Sequence, residues 1–114
     1  MDLEHPIQKC LNSPQDFLDM LFQQKKIKNP KYSLRAWAMR LQISTSTLSR
    51  VLAGRRPLTY DLAIRLLQSL DISDTEKLLL ILLTLRSQAS FDFERLFYDQ
   101  HILKLGKVLL TSES

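Results

Sequence analysis

A single cysteine, Cys10, is all the thiol this chain carries. No internal disulfide can form, which fits a reducing cytosol, though a crosslink between two chains is permitted. Packed as a small apolar residue, Cys10 needs no further role. The parts of a common active site are missing too. His5 and His101 lie far apart, Cys10 has no partner at metal-ligand spacing, and neither a glycine-rich phosphate loop nor a nucleophile motif occurs. An enzyme is not expected, nor a metal, nor a cofactor, and His101 on its apolar-rich segment reads as a surface or interface side chain. Long hydrophobic runs are also absent. The strongest, Leu78 to Leu83 with Leu85, is much too short to cross a bilayer, and the N-terminus, with Asp2 and Glu4, lacks the apolar core of a secretory signal. The expectation is a cytoplasmic protein that is not in the membrane.

Negative charge is missing from the middle of the chain. No Asp or Glu occurs from Met20 to Tyr60, while that window holds nine of the 16 basic residues: Lys25, Lys26, Lys28, Lys31, Arg35, Arg40, Arg50, Arg55 and Arg56. The flanks hold the other seven against all 12 acidic residues, a net of −5, so the formal +4 of the whole chain conceals a basic centre between acidic flanks. A solvated face is the ordinary explanation of a charge run. A basic centre of this length is also the footprint of a surface that meets a polyanion.

Two glycines and four prolines in 114 residues, with leucine dominant, favour helix throughout. This length suits one domain with one core. Inside the basic window, Ser33 to Pro57 (SLRAWAMRLQISTSTLSRVLAGRRP) reads as two short helices joined by a tight turn and closed by a basic glycine loop. Ser33 can cap the first helix, whose apolar face is Leu34, Trp37, Ala38 and Leu41 at i, i+3, i+4 and i+7. Ala38 is the small residue needed where the axes of a helix-turn-helix cross, and Ile43, Leu48, Val51 and Leu52 supply the apolar side of the turn and second helix. Ser44 is the expected N-cap of that second helix, Gly54 its glycine stop, with Pro57 beyond. Between these anchors Ser44, Thr45, Ser46, Thr47, Ser49 and Arg50 are expected to face outward. Short hydroxyls and an arginine are what a helix in a major groove presents to phosphates and base edges, although Ser and Thr also cap helices and fill surfaces.

The rest of the chain supports this motif. Residues 1–12, with Leu3, Ile7 and Leu11 around Pro6, are expected to fray. Ser13-Pro14 starts a helix with Phe17, Leu18, Leu21 and Phe22 on one face, ending near Lys26. Asn29-Pro30 then leads the chain through a loop to Ser33. Thr59 caps a helix carrying Leu62, Ala63, Leu66, Leu67 and Leu70, and Ser73 with Glu76 matches a capping box for the helix from Asp74 to about Ser87. That helix has almost no polar face, so it is the centre of the core, a subunit interface, or both. From Ser90, the residues Phe93, Leu96, Phe97, Ile102, Leu105 and Leu109 recur near helical spacing. Gly106 either ends this last helix, or the helix runs on to Leu110, or residues 107–111 are extended. The expected architecture is all-α, a compact bundle of five to six helices, with residues 13–88 as the helix-turn-helix domain and 89–114 as a C-terminal helix and tail for packing or dimerisation.

The stretch Ile43 to Pro57 resembles the core of phage-repressor-type helix-turn-helix domains, whose recognition helix is followed by a similar glycine-basic loop. More narrowly, Pro30 to Ala38 (PKYSLRAWA) followed by Leu48 to Arg56 (LSRVLAGRR) resembles the N-terminal part of a family of poorly characterised bacterial regulators. The match covers about Asp16 to Leu83. It implies that Thr45, Ser46 and Arg50 contact bases, with Ser44, Thr47 and Arg55 near phosphates. Members of the narrower family usually carry a much longer C-terminal region, so no sensing role is carried over. Gln42 stands where such turns commonly have glycine, and either takes a left-handed backbone at a cost of about 1 kcal/mol or changes the turn.

The function expected from these residues is sequence-specific binding of double-stranded DNA by a transcriptional regulator. Its recognition helix spans about residues 45–53, and Lys31, Arg35, Ser49 and Arg56 join the residues above in the DNA-binding set. Self-pairing is expected through residues 74–87 and the segment after Ser90. The rival reading is a protein-interaction module in which those two apolar helices dock a protein partner and DNA binding is weak or absent.

Overall fold

The computed structural model describes residues 13–112, which form six helices: α1 (Pro14–Lys28), α2 (Leu34–Leu41), α3 (Thr45–Leu52), α4 (Tyr60–Leu67), α5 (Asp74–Gln88) and α6 (Asp92–Ser112). The fold is all-α. The N-terminal segment expected to fray, with His5 and Cys10, lies outside the described residues.

Five of the six helices start on a hydroxyl. Ser13, Ser33, Ser44, Thr59 and Ser73 each accept a hydrogen bond from the backbone N–H three residues on, at 3.0 to 3.2 Å. Each bond satisfies an orphan amide of the first turn. Ser73 and Glu76 complete a capping box, the Glu76 carboxylate accepting from the Ser73 amide at 3.0 Å. Ser90 does not cap α6. That helix starts two residues later, where the Glu94 carboxylate accepts from the Phe91 amide at 3.2 Å.

One core joins all six helices. Phe17 and Leu18 of α1, Trp37 and Ala38 of α2, Leu48 and Val51 of α3, Ala63 and Leu66 of α4, Leu79, Leu80 and Leu83 of α5 and Ile102 of α6 are buried together. Phe22 stacks on Trp37 with ring centroids 5.1 Å apart and planes 11° from parallel, locking α1 to α2. Ala38 is buried where α2 meets α3, as a close approach of two helices requires.

α5 is the central helix of this core. It packs on α1, α4 and α6, and the chain itself buries Leu79, Leu80, Leu83 and Thr84. The Thr84 hydroxyl donates to the Leu80 carbonyl at 2.8 Å, so the buried oxygen is satisfied. Of the readings open for so apolar a helix, the centre of the core is the one these leucines fulfil. α6 supplies the wall that the first five helices lack, and Leu78 is the α5 leucine left exposed.

Of the alternatives at Gly106 the continuing helix holds: the glycine is buried within α6, which runs past Leu110 to Ser112. The apolar residues of this helix do not form one face. Ile102 is buried and Tyr98, Leu105 and Leu109 pack on the core, whereas Phe93, Leu96 and Phe97 point to solvent. Phe93 and Ile102 are nine residues apart, which at roughly 100° per residue leaves them half a turn out of phase. They must therefore lie on opposite sides of the helix. No helix of the described residues is long and apolar enough to cross a membrane.

Candidate nucleic-acid interface

α2 and α3 meet through a turn of three residues, and the backbone of the turn explains its sequence. Gln42 has φ +61°, the left-handed region, with its N–H donating to the Met39 carbonyl at 3.2 Å and the Ile43 N–H donating to the Ala38 carbonyl at 3.0 Å. This pair of bonds is a Schellman closure of α2, built on a residue with a Cβ. Of the two alternatives for Gln42, the left-handed one holds. α3 closes in the same way. Gly54 has φ +75°, its N–H donates to the Val51 carbonyl at 3.0 Å, and the Arg55 N–H donates to the Arg50 carbonyl at 2.9 Å.

The two closures fix which way α3 faces. Leu48 and Val51 are buried and Leu52 packs on the core. At 3.6 residues per turn this leaves Thr45, Ser46, Ser49 and Arg50 along the opposite face, and all four are exposed. Ser44 and Thr47 differ, because their side chains are already engaged. The Ser44 hydroxyl accepts from the Thr47 amide at 3.0 Å and donates to the Thr47 hydroxyl at 2.8 Å. Both residues thus build the start of the helix.

The loop after α3 folds back onto it. The Arg56 guanidinium reaches the Thr47 hydroxyl at 3.4 Å, and the Arg56 carbonyl accepts from the Gln15 side-chain amide at 3.4 Å. Gln15, 41 residues earlier, ties the first turn of α1 to this loop. Spacing in the sequence holds no signal for that bond. Arg55 is exposed, as are Lys31 before α2 and Arg35 in its first turn. A further basic rim, not among the expected site residues, surrounds a shallow cavity of about 250 Å³ lined by Lys25, Lys28, Asn29, Tyr32 and Arg40. The Tyr32 hydroxyl is buried there without a hydrogen-bond partner.

In the fold Lys25 and Lys28 of α1 line a cavity together with Asp71 and Glu76, so the acid-free window of the sequence is not free of acidic neighbours at α1. Among the described residues, the ion pairs Arg86 with Asp99 and Arg95 with Asp92 belong to α5 and α6. The cations of α2, α3 and their loops have no carboxylate among residues 20–60 to neutralise them. Like charges gathered without counter-charges create a field that raises the local concentration of a polyanion and speeds its arrival. Hydroxyls and arginine on a helix face between such cations can accept from and donate to base edges and phosphates.

No protein-family model, curated protein or solved structure matches this chain.

Proposed function

We propose that this chain is a sequence-specific DNA-binding transcriptional regulator that works as a homodimer, with α3 in the major groove. The observation that carries the reading is the outward face of α3. Thr45, Ser46, Ser49 and Arg50 are exposed together on a helix held by caps at both ends, inside the acid-free basic window of the chain. Thr45, Ser46 and Arg50 take the base edges, Arg50 through a bidentate pair with guanine. Lys31, Arg35, Ser49, Arg55 and Arg56 take the phosphates that set register. Ser44 and Thr47 act on DNA mainly by fixing the start of α3.

A mixed-sequence duplex titrated with protein at several salt concentrations tests this directly. Binding in the range of about 10⁻⁴ to 10⁻⁶ M is expected near physiological salt, weakening linearly in log–log form as salt rises. Selection from a random duplex pool should then yield a two-fold site, its half-sites about 10 base pairs apart or a multiple of that. A protein that binds no duplex even at low salt overturns the reading. It would favour the rival protein-docking module, which the exposed phenylalanines of α6 support.

A further inference from the structure

α6 carries its exposed apolar side chains in a regular order. Phe93 is 72% exposed, Leu96 60%, Phe97 56% and Leu103 60%. With the exposed Gln100 between them, residues 93, 96, 100 and 103 follow a three-four-three spacing. Such spacing lays side chains along a nearly straight seam, the pattern by which two helices pack on each other. Phe97 also lines a mostly apolar groove of about 420 Å³ with Leu78, Leu82, His101, Lys104 and Leu105. Two phenylalanines so placed leave on the order of 250 Å² in water. The neighbouring leucines bring the patch to several hundred Å², the size of the largest patches on monomers, which are often functional.

Charge is polarised along the same helix. Asp92 and Glu94 stand in its first turn, followed by Arg95, which pairs with Asp92 at 3.0 Å, and Lys104 and Lys107 stand in its C-terminal half. Asp99, between them, is turned to Arg86 of α5.

We infer that a second copy of this chain covers the seam in antiparallel orientation, Phe93 lying opposite the partner's Leu103 and Phe97 beside the partner's Phe97 across a two-fold axis. This register sets Lys104 level with the partner's acidic first turn. Parallel pairing instead stacks Lys104 on Lys104 and Asp92 on Asp92, with like charges side by side. Gln100 falls opposite the partner's Leu96, which offers its amide no hydrogen bond, so this position costs the seam some stability. The two α5–α6 hairpins then form a four-helix bundle. Neither α3 nor the loop after it takes part, so both copies keep their outward α3 side chains. The inference rests on the self-pairing proposed above and holds whether or not DNA is bound.

Sedimentation of the full chain without DNA tests it. At tens of micromolar the chain is expected to run as a dimer. Phe97→Glu should raise the dissociation constant about 100-fold while the helical circular dichroism melt persists, because Phe97 is not a core residue; Leu103→Lys should do the same if Phe97→Glu fails to fold. Orientation is read in a Cys10→Ser background, where Phe93→Cys and Leu103→Cys chains should crosslink on oxidation only when mixed. A monomer leaves the seam to a different protein and overturns the inference. So does a dimer indifferent to both charge substitutions, or a Phe93→Cys chain that crosslinks to itself as readily as to Leu103→Cys.

Discussion

α3 and α6 each turn one long face to solvent, and the two faces hold opposite chemistry. On α3 the outward side chains are the hydroxyls of Thr45, Ser46 and Ser49 together with Arg50, set among cations that have no carboxylate near them in the sequence. On α6 they are phenylalanine and leucine, and the nearby charges are paired as Arg86 with Asp99 and Arg95 with Asp92. Unneutralised positive charge is a standing electrostatic cost that a polyanion relieves. Exposed aromatic surface is a hydrophobic cost that another protein surface relieves. One small domain thus presents two chemically opposite faces, a basic, hydroxyl-bearing one on α3 and an apolar one on α6.

The largest expected effect separates the inside of the α5–α6 pair from its outside. Leu80→Ala should destabilise the fold by about 2–5 kcal/mol, since Leu80 is fully buried in the core and its truncation leaves a cavity. Phe93→Ala, on the outer face of α6, should change stability by no more than about 0.5 kcal/mol at protein concentrations low enough to keep the chain monomeric. Urea denaturation of both variants makes the comparison. A comparable destabilisation by Phe93→Ala would mean that the outer face of α6 is covered within the monomer, and the contrast with α3 would collapse.

Two arginines divide the α3 side more finely. Arg50→Ala should cost about 1–3 kcal/mol per half-site on a selected duplex and relax the preference at one base pair. Arg55→Ala, in the loop beyond Gly54, should weaken selected and scrambled duplexes alike and reduce the slope of log affinity against log salt by about one unit, the share of a single neutralised phosphate. Titrations of both duplexes at several salt concentrations resolve the two patterns. If neither substitution alters affinity for either duplex, this face does not bind DNA and its charge is only a solvated surface.

Much of this division can be read from the sequence because it rests on local rules. Ser and Thr three residues ahead of an amide, apolar residues at i, i+3, i+4 and i+7, and a glycine after the last helical turn act within one helix or one turn. Ser33, Ser44, Thr59, Ser73 and Gly54 all do in the fold what those rules require. The outward face of α3 follows once Leu48 and Val51 are turned inward. What the spacing does not reveal is set by distance along the chain. The Gln15 amide meets Arg56 only after α1 and the loop are docked. α6 has apolar residues all round, so periodicity alone cannot say that Ile102 goes in and Phe93 goes out; the choice is made by α5, which has room for one face. The same packing carries the helix through Gly106, overriding an intrinsic helix penalty of about 1 kcal/mol.

The start of α3 offers a smaller effect. Ser44→Ala removes the hydroxyl that accepts from the Thr47 amide and donates to the Thr47 side chain. A destabilisation of about 1 kcal/mol in thermal or urea denaturation is expected from the cap alone. If α3 binds DNA as proposed, affinity should fall further than that of Leu80→Ala measured where both variants are folded, because the cap fixes the start of α3. Equal affinity for Ser44→Ala and the parent chain would show that α3 is held by its core residues without help from the cap.

The smallest effect lies in the turns, and it compares one half of the interface with itself. α2 and α3 end on the same two-bond closure, but Gly54 makes the left-handed residue of the second without a Cβ, whereas Gln42 makes that of the first with one. Gln42 is exposed, and a Cβ at Gly54 would meet nothing within 4 Å, so at both positions the backbone conformation itself dominates the energetics. Gly54→Ala should therefore destabilise by about 1 kcal/mol through the left-handed penalty alone. Gln42→Gly should act in the opposite direction, raising stability by about 0.5–1 kcal/mol, with the turn geometry and the DNA face unchanged. Denaturation midpoints of the two variants against the parent chain test the pair. A midpoint that falls for Gln42→Gly would show that the glutamine side chain holds the turn by more than its backbone, and that this closure, unlike the one at Gly54, depends on what its residue touches.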